Sequence, residues 1–218
     1  MLIGLKRGDL VNKIHILGIG PGSRDYLLPI TERIVSRADI IIGGSRALEL
    51  FKDYNQEKIQ ITADLAKIKD YIEDNYLTKK IAVLVSGDPG LYSMLSYLKR
   101  FFSDDELEVI PGISAIQLAC AKAKLIWQDA YITSLHGKRD KEALLELIST
   151  KDKVAFFTDN KFPPNEIAEF LVEKGVRNKI GIVAENLSYE SERVVETSLE
   201  ELSKQKFAKL TVMVIYNG

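Results

Sequence analysis

The order of short apolar runs and helical stretches is the feature that most constrains this chain. In the first half, strands are predicted at 13–20, 39–44, 58–62, 80–87 and 106–110, and helices between them at 29–38, 45–51, 64–76 and 91–102. Such alternation predicts a mostly parallel sheet with helices on both faces. Because the carboxyl ends of parallel strands share one edge of the sheet, the loops that follow strands are the expected ligand-binding positions.

The second half has a different order of elements. Helices are predicted at 113–124, 140–149, 164–175 and 198–205, and strands at 130–134, 153–158, 179–184, 192–197 and 209–216. Two of these strands, 179–184 and 192–197, follow one another with no helix between them and are expected to pair, which indicates a mixed sheet. The sequence therefore predicts two α/β domains, 1–113 and 114–218.

Local signals suggest where several of these helices begin. Asp64, Ser45 and Asp140 are expected as N-caps, and Ser198 with Glu201 forms a capping-box pattern. Leu91, Leu95, Leu98 and Phe102 form an apolar stripe at helical spacing, which predicts one continuous helix over 91–102. His15 lies inside a predicted strand and is expected to be a hydrogen-bonded core residue.

Charge and composition exclude several classes of protein. The 218 residues carry 30 basic and 31 acidic side chains, a net charge of −1, so no general nucleic-acid binding is expected, although a local basic pocket for a small anion is not excluded. A single cysteine, Cys120, allows neither an internal disulfide nor a cysteine-cluster metal site, and two histidines leave little room for a histidine site. No metal is therefore expected. No apolar run approaches the ~20 residues of a membrane helix, and no secretory signal is recognisable, so a cytoplasmic protein is expected.

The first candidate binding loop is GIGPGS (18–23), which follows a predicted buried strand. A phosphate-binding P-loop needs a Lys-Ser/Thr pair after its last glycine, and Ser23-Arg24 does not supply one. A dinucleotide fingerprint needs glycine at position 23 and a helix that opens directly from the turn, whereas the next helix is predicted to begin near Pro29. When this loop is considered alone, a tight turn that binds no ligand remains an alternative interpretation.

Two further turns also follow predicted strands. SGDPGLYS (86–93) presents Asp88 at a strand end, although Asp-Pro-Gly is also ordinary turn chemistry. In IPGISA (110–115), Ser114 and Ala115 open the next helix, whose first N–H groups are free to bind a carboxylate or another polar ligand atom. Three such turns at neighbouring strand ends predict one ligand site at the edge of the sheet.

Together these segments resemble the tetrapyrrole (corrin/porphyrin) methylase family. The resemblance rests on GIGPGSRDYLLP, ADIIIGG, VLVSGDPGLYS and VIPGISAIQLA, and covers about residues 13–216. A fifth segment, WQDAYITSLHGK (127–138), is similar to the members that methylate carbon 5 of (cobalt-)precorrin-7 in cobalamin biosynthesis. The first dozen residues depart from the family pattern and are expected to be a terminal extension.

The resemblance implies an S-adenosylmethionine-dependent methyltransferase, with S-adenosylhomocysteine as product and the cofactor in a cleft between two α/β domains. It also implies a homodimer that acts on a small-molecule tetrapyrrole. Some relatives carry a fused decarboxylating carbon-15 methyltransferase, which for this chain would be a separate partner. Taken motif by motif, the resemblance implies that the cofactor contacts are Pro21, Gly87, Asp88, Leu91, Ser114, Ala115, Thr158, Asn186 and Leu187.

The same resemblance implies roles for basic and titratable side chains. A substrate edged with carboxylates suggests contacts from Arg24, Arg46, Lys138 and Arg139, although solvated surface charge is the alternative for each. His136 is the candidate base for a ring proton that leaves after methylation, with a substrate contact or a surface histidine as the alternatives. Methylation at another ring position, diphthine synthesis on a protein, and a non-catalytic sensor of a nucleotide-like ligand remain as other functions.

Overall fold

The computed structural model describes residues 12–135 and 140–218. The chain divides into two compact units, with the boundary between Ser114 and Ala115. Among the described residues, each unit contains one five-stranded sheet, and each hydrophobic cluster of buried side chains lies within a single unit. The two α/β domains expected from the sequence are confirmed.

The first unit is built on a fully parallel sheet. Its strands are β1 (Ile14–Gly18), β2 (Ile40–Gly43), β3 (Glu57–Gln60), β4 (Ile81–Val85) and β5 (Leu107–Ile110), and its helices are α1 (Pro29–Val35), α2 (Ser45–Leu50), α3 (Leu65–Asn75) and α4 (Leu95–Leu98). The strand order is β3-β2-β4-β1-β5. Every residue of β2 and β4 is buried, as expected of strands covered on both faces.

The strand order creates a point at which the chain changes direction across the sheet. From β1 the chain passes over β4 to reach β2, and from β4 it passes over β1 to reach β5. The connection that leaves β1 therefore runs toward one edge of the sheet, and the connection that leaves β4 runs toward the other edge. In open parallel sheets, ligands bind outside the carboxyl ends of the strands at such a point.

The second unit contains the mixed sheet predicted for it. It comprises α5 (Ala115–Lys122), β6 (Tyr131–Ser134), α6 (Lys141–Thr150), β7 (Lys153–Phe157), α7 (Pro164–Glu173), β8 (Lys179–Glu185), β9 (Arg193–Ser198), α8 (Leu199–Ser203) and β10 (Thr211–Asn217). The order is β6-β7-β10-β8-β9, with β6 parallel to β7 and the other pairs antiparallel. The predicted pairing of the consecutive strands β8 and β9 is confirmed.

Three local predictions need correction. Ser45 is the first residue of α2 and does not cap it, because Gly44 takes the extended N-cap conformation. The predicted helix over 91–102 is reduced to α4, since Tyr92 lies in the left-handed region at φ 49° and the Ser93 hydroxyl accepts a hydrogen bond from the N–H of Leu95. Asp64, Asp140 and Ser198 do accept capping hydrogen bonds from backbone N–H groups, as predicted.

His15 also differs from its prediction. It is only half-buried, and its Nδ1 lies 3.4 Å from Oε2 of Glu108 without forming a hydrogen bond to any described residue. Among the described helices, none is long and apolar enough to cross a bilayer. Within 12–135 and 140–218, no group of three or more His, Cys, Asp or Glu side chains is arranged to hold a metal ion.

Candidate functional site

Three turns meet at the carboxyl ends of β4, β1 and β5, the neighbouring strands beside the change of direction. Gly20 and Gly87 form a short antiparallel bridge, in which the N–H of Gly87 donates to the carbonyl of Gly20 at 2.8 Å. Both glycines lie in the left-handed region, at φ 75° and 69°. The predicted convergence of these turns is therefore present within the first unit.

Glycine is required at two of the contact points because the backbones touch there. A Cβ atom on Gly112 would lie 2.2 Å from the carbonyl oxygen of Gly87, and one on Gly18 would lie 2.5 Å from the nitrogen of Gly112. Side-chain atoms essentially never approach backbone atoms so closely, so neither position accepts a side chain without moving a turn. Gly18 is also held by the buried Thr31 of α1, whose hydroxyl donates to the carbonyl of Gly18 at 3.3 Å.

Asp88 connects the second turn to the third. Its Oδ1 accepts from the N–H of Gly90 at 2.7 Å, and its Oδ2 accepts from the N–H of Gly112 at 3.1 Å. A carboxylate offers about four lone-pair sites, so two of them remain for a ligand hydroxyl or ammonium group. Asp88 can therefore order the site and bind a ligand at the same time. The turn bond to Gly90 is signalled by the Asp-Pro-Gly sequence, but the bond to Gly112 has no signal in the sequence.

The remaining residues expected in this part of the site lie close along the chain to the same turns. Pro21 follows Gly20 and is half-buried, and the N–H of Leu91 donates to the carbonyl of Asp88 at 3.1 Å. Ser114 is buried, and Ala115 is the first residue of α5. The first N–H groups of this eight-residue helix have no intrahelical acceptors, which suits a carboxylate or another polar ligand atom.

In the second unit, the structure brings Thr158, Asn186 and Leu187 to one end of the sheet. Thr158 follows β7, and its hydroxyl donates to the carbonyl of Thr211 at 2.9 Å. Asn186 follows β8, and its N–H donates to the carbonyl of Leu210 at 2.9 Å, while Leu187 is buried. A cavity of about 260 Å³ adjoins this end of the sheet; among its lining residues are Asp159, Asn160, Asn165, Phe207, Lys209 and Thr211.

The predicted substrate and catalytic residues are not brought together as closely as the predicted cofactor contacts are. Arg24 is bound to its own domain: its guanidinium donates to Glu32 at 3.2 Å and to the carbonyl of Leu50 at 2.6 Å. Arg46 is exposed on α2. His136, Lys138 and Arg139 lie outside the described residues, so their predicted roles stay predictions.

A model of the family described as Tetrapyrrole (Corrin/Porphyrin) Methylases matches residues 13–203. The chain belongs to this family. It is 42% identical over 94% of its length, and 98% of the relative's, to a Methanocaldococcus jannaschii protein named "Probable cobalt-precorrin-7 C(5)-methyltransferase". It is 34% identical over 83% of its length, and 88% of the relative's, to the cobalt-precorrin-7 C(5)-methyltransferase of Salmonella typhimurium.

A solved structure of a tetrapyrrole methylase has the same fold. The precorrin-6Y methylase of cobalamin biosynthesis from Archaeoglobus fulgidus matches with a TM-score of 0.73 at 25% identity, covering 94% of this chain and 98% of that one. The likeness therefore spans both α/β units of the chain and is not confined to the glycine turns.

Proposed function

We propose that this tetrapyrrole methylase transfers the methyl group of S-adenosylmethionine to carbon 5 of cobalt-precorrin-7 in cobalamin biosynthesis. The observation that carries the proposal is the 42% identity, over nearly the whole of both chains, to a relative named for that reaction. The site supports it, because the turns at the carboxyl ends of β4, β1 and β5 place the Asp88 carboxylate at the edge of the sheet where ligands of parallel sheets bind.

The chemistry of the described residues fits the cofactor. Asp88 supplies carboxylate lone pairs for ribose hydroxyls or an ammonium group, and the first N–H groups of α5 suit a carboxylate. Pro21, Gly87, Leu91, Ser114 and Ala115 would complete this set, with Thr158, Asn186 and Leu187 from the second unit. Bound S-adenosylmethionine supplies an electrophilic methyl group on a sulfonium, so the protein need not generate the reactive centre itself.

The role of the protein in catalysis is then chiefly to align the methyl donor with the ring carbon that accepts the methyl group. Fixed alignment of two reactants can lower a barrier by ~7–11 kcal/mol, which is why the rigid contacts among the three turns matter. We propose Arg46, Lys138 and Arg139 as contacts for substrate carboxylates, with Arg24 as a weaker candidate because Glu32 already neutralises it. His136 is proposed as the base, which an unchanged single-turnover rate in His136→Ala would rule out.

The decisive experiment determines the methylated product. The purified protein is incubated with ¹³C-methyl S-adenosylmethionine and cobalt-precorrin-7, in parallel with metal-free precorrin-7. We expect a mass gain of one methylene unit and a new ¹³C methyl signal at carbon 5, with S-adenosylhomocysteine released. A methyl group at another carbon would indicate a different member of the family. Binding without transfer would indicate a sensor, and transfer only to a protein acceptor would indicate diphthine synthesis.

We further propose that the protein is a homodimer, as the family resemblance implies. Light scattering on the purified 218-residue chain tests this directly, since a dimer has twice the 24.5 kDa mass of the chain. A monomeric mass at the concentrations used for the methyl-transfer assay would contradict it.

A further inference from the structure

The loop that carries Asn186 and Leu187 holds an unfavourable backbone conformation. Asn186 and Ser188 both lie in the left-handed region, at φ 49° and 70°. Asparagine tolerates this region because its side chain can hydrogen-bond locally, whereas serine has no comparable preference. Such residues persist only where surrounding contacts hold them, and they cluster at binding sites.

One carboxylate supplies that contact for Ser188. Oε2 of Glu192 accepts a hydrogen bond from the backbone N–H of Ser188 at 2.8 Å, and Oε1 lies 2.6 Å from Nζ of Lys122. The Glu192 side chain is only 19% exposed, so solvent screens this ion pair less than a surface pair. The sequence pattern makes Glu192 the first residue of a strand over 192–197, but β9 begins at Arg193, so Glu192 belongs to the loop before the strand.

The charge state of Glu192 agrees with this role. Partial burial by itself raises the pKa of the Glu192 carboxyl, but the hydrogen bonds from Lys122 and from the N–H of Ser188 outweigh it and hold the pKa below its usual value. The carboxylate therefore stays ionised at neutral pH and keeps both acceptor oxygens available.

Lys122 connects α5, the helix that begins at Ala115, to the contacts made by Glu192. It is the last residue of α5, whose first residue is Ala115, directly after Ser114. Ile116, Ala119 and Cys120 of that helix are fully or almost fully buried, so the backbone position of Lys122 is set by packing. The Lys122–Glu192 pair thus ties the end of the helix that opens at Ala115 to the loop that carries Asn186 and Leu187.

We propose that Glu192 is a positioning residue for cofactor binding, which fixes the 186–188 loop relative to α5 through Lys122 and the backbone of Ser188. The inference rests on the proposed function, because it takes Ala115, Asn186 and Leu187 as cofactor contacts. Glu192 itself need not touch the cofactor. Its expected effect is on cofactor affinity and not on the rate of methyl transfer once the cofactor is bound.

Glu192→Gln is the test, because glutamine keeps the size of the side chain but turns an amide NH₂ toward a cation or a backbone donor. We expect the dissociation constant of S-adenosylhomocysteine, measured by calorimetry, to rise about ten-fold, a factor that corresponds to the lower end of the free energy of one charged hydrogen bond. We expect kcat at saturating S-adenosylmethionine to change less than two-fold, and backbone amides of 186–192 to exchange faster with deuterium. Lys122→Met, which keeps the carboxylate, should raise the dissociation constant in the same direction.

Glu106→Gln is the matched control. Glu106 is also a largely buried carboxylate that accepts a backbone hydrogen bond, from Ser103 at 2.7 Å, but it precedes β5 at the opposite end from the turns. We expect it to lower the melting temperature without changing the affinity for S-adenosylhomocysteine.

Two results would overturn the proposal: unchanged affinity in Glu192→Gln and Lys122→Met despite a lower melting temperature, or unchanged exchange of 186–192. Failure of the unmodified protein to bind S-adenosylhomocysteine would instead contradict the proposed function, and the exchange measurement would still test the loop.

Discussion

Asp88 holds together two turns of the candidate site and also offers acceptors to a ligand. Asp88→Ala removes acceptors from the N–H groups of Gly90 and Gly112. A lost charged hydrogen bond costs about 1.5–3 kcal/mol, so we expect the affinity for S-adenosylhomocysteine to fall roughly ten- to hundred-fold. Calorimetry measures this directly.

Asp39→Ala serves as the control for Asp88→Ala. Asp39 also accepts a backbone hydrogen bond, from Lys80 at 2.8 Å, but it precedes β2 at the amino-terminal edge of the sheet. The Asp39→Ala variant should have a lower unfolding free energy but the same affinity for S-adenosylhomocysteine as the unmodified protein. Equal affinity in the Asp88 and Asp39 variants would show that Asp88 does not contribute to binding.

Gly112 tests whether the contact among the turns is essential. Gly112→Ser would place a Cβ atom 2.2 Å from the carbonyl oxygen of Gly87, and no flexible side chain is there to move aside. We expect a loss of about 3 kcal/mol of unfolding free energy or more, together with loss of cofactor affinity, measured by urea unfolding and calorimetry. The same change at Gly44, where a Cβ atom would have no neighbour within 4 Å and where α2 has no side-chain cap, should leave stability unchanged or slightly raised. A stable Gly112→Ser protein would refute the tight contact.

At the scale of elements, α5 and α7 end in the same way with different residues. In α7, Gly175 lies at φ 82°, and the N–H of Val176 donates to the carbonyl of Leu171. In α5, Lys124 takes the equivalent position at φ 55°, and the N–H of Leu125 donates to the carbonyl of Cys120. Both are Schellman motifs, in which glycine is the favoured residue.

This comparison predicts opposite effects of two substitutions. Gly175→Ala should lower the unfolding free energy by about 1 kcal/mol, because its Cβ meets no atom within 4 Å and only the left-handed conformation is penalised. Lys124→Gly should raise it by about 0.5–1 kcal/mol, because glycine relieves that penalty at the carboxyl end of α5. Thermal and urea unfolding measure both changes, and effects of the same sign would contradict the explanation.

The elements show which parts of the fold are local enough to predict from sequence. The end of α7 is predictable because Gly175 is a direct signal, and the N-caps Asp64 and Asp140 are similarly local. The segment 91–102 has the apolar spacing of one helix, and Leu98 and Phe102 are indeed buried. Its first turn is lost because Ser93 and Tyr92 adopt local contacts and a backbone angle that spacing does not encode.

The site shows the same division. The three turns and Asp88 are predictable because glycine, proline and aspartate at strand ends are readable in order along the chain. The bond from Asp88 to Gly112 and the contact of Ser188 with Glu192 are not, since each depends on how segments meet in space. The sequence pattern also does not predict the order of the strands, which places β4, β1 and β5 side by side, because that order depends on contacts between distant segments.

At the scale of the whole molecule, His15 should make global stability depend on pH. Burial disfavours its charged form and lowers the pKa of His15 below 6.5, with Lys13 and Lys80 adding to the shift and Glu108 opposing it. The unfolded chain therefore binds a proton at His15 more readily than the folded chain does. Its contribution to stability is complete above pH 6.5 and is lost as the pH falls from 6.5 through the lower folded value.

Urea unfolding at a series of pH values on either side of 6.5 tests this linkage, kept above about pH 5 so that most carboxyl groups remain ionised. We expect the unfolding free energy of the unmodified protein to decline below pH 6.5, and His15→Gln to flatten that part of the profile. His136→Gln, which changes the one other histidine of the sequence, should retain the decline because His15 is still present. A decline that survives in His15→Gln and disappears in His136→Gln would show that the linkage belongs to His136, and that burial of His15 on β1 does not set the pH dependence of stability.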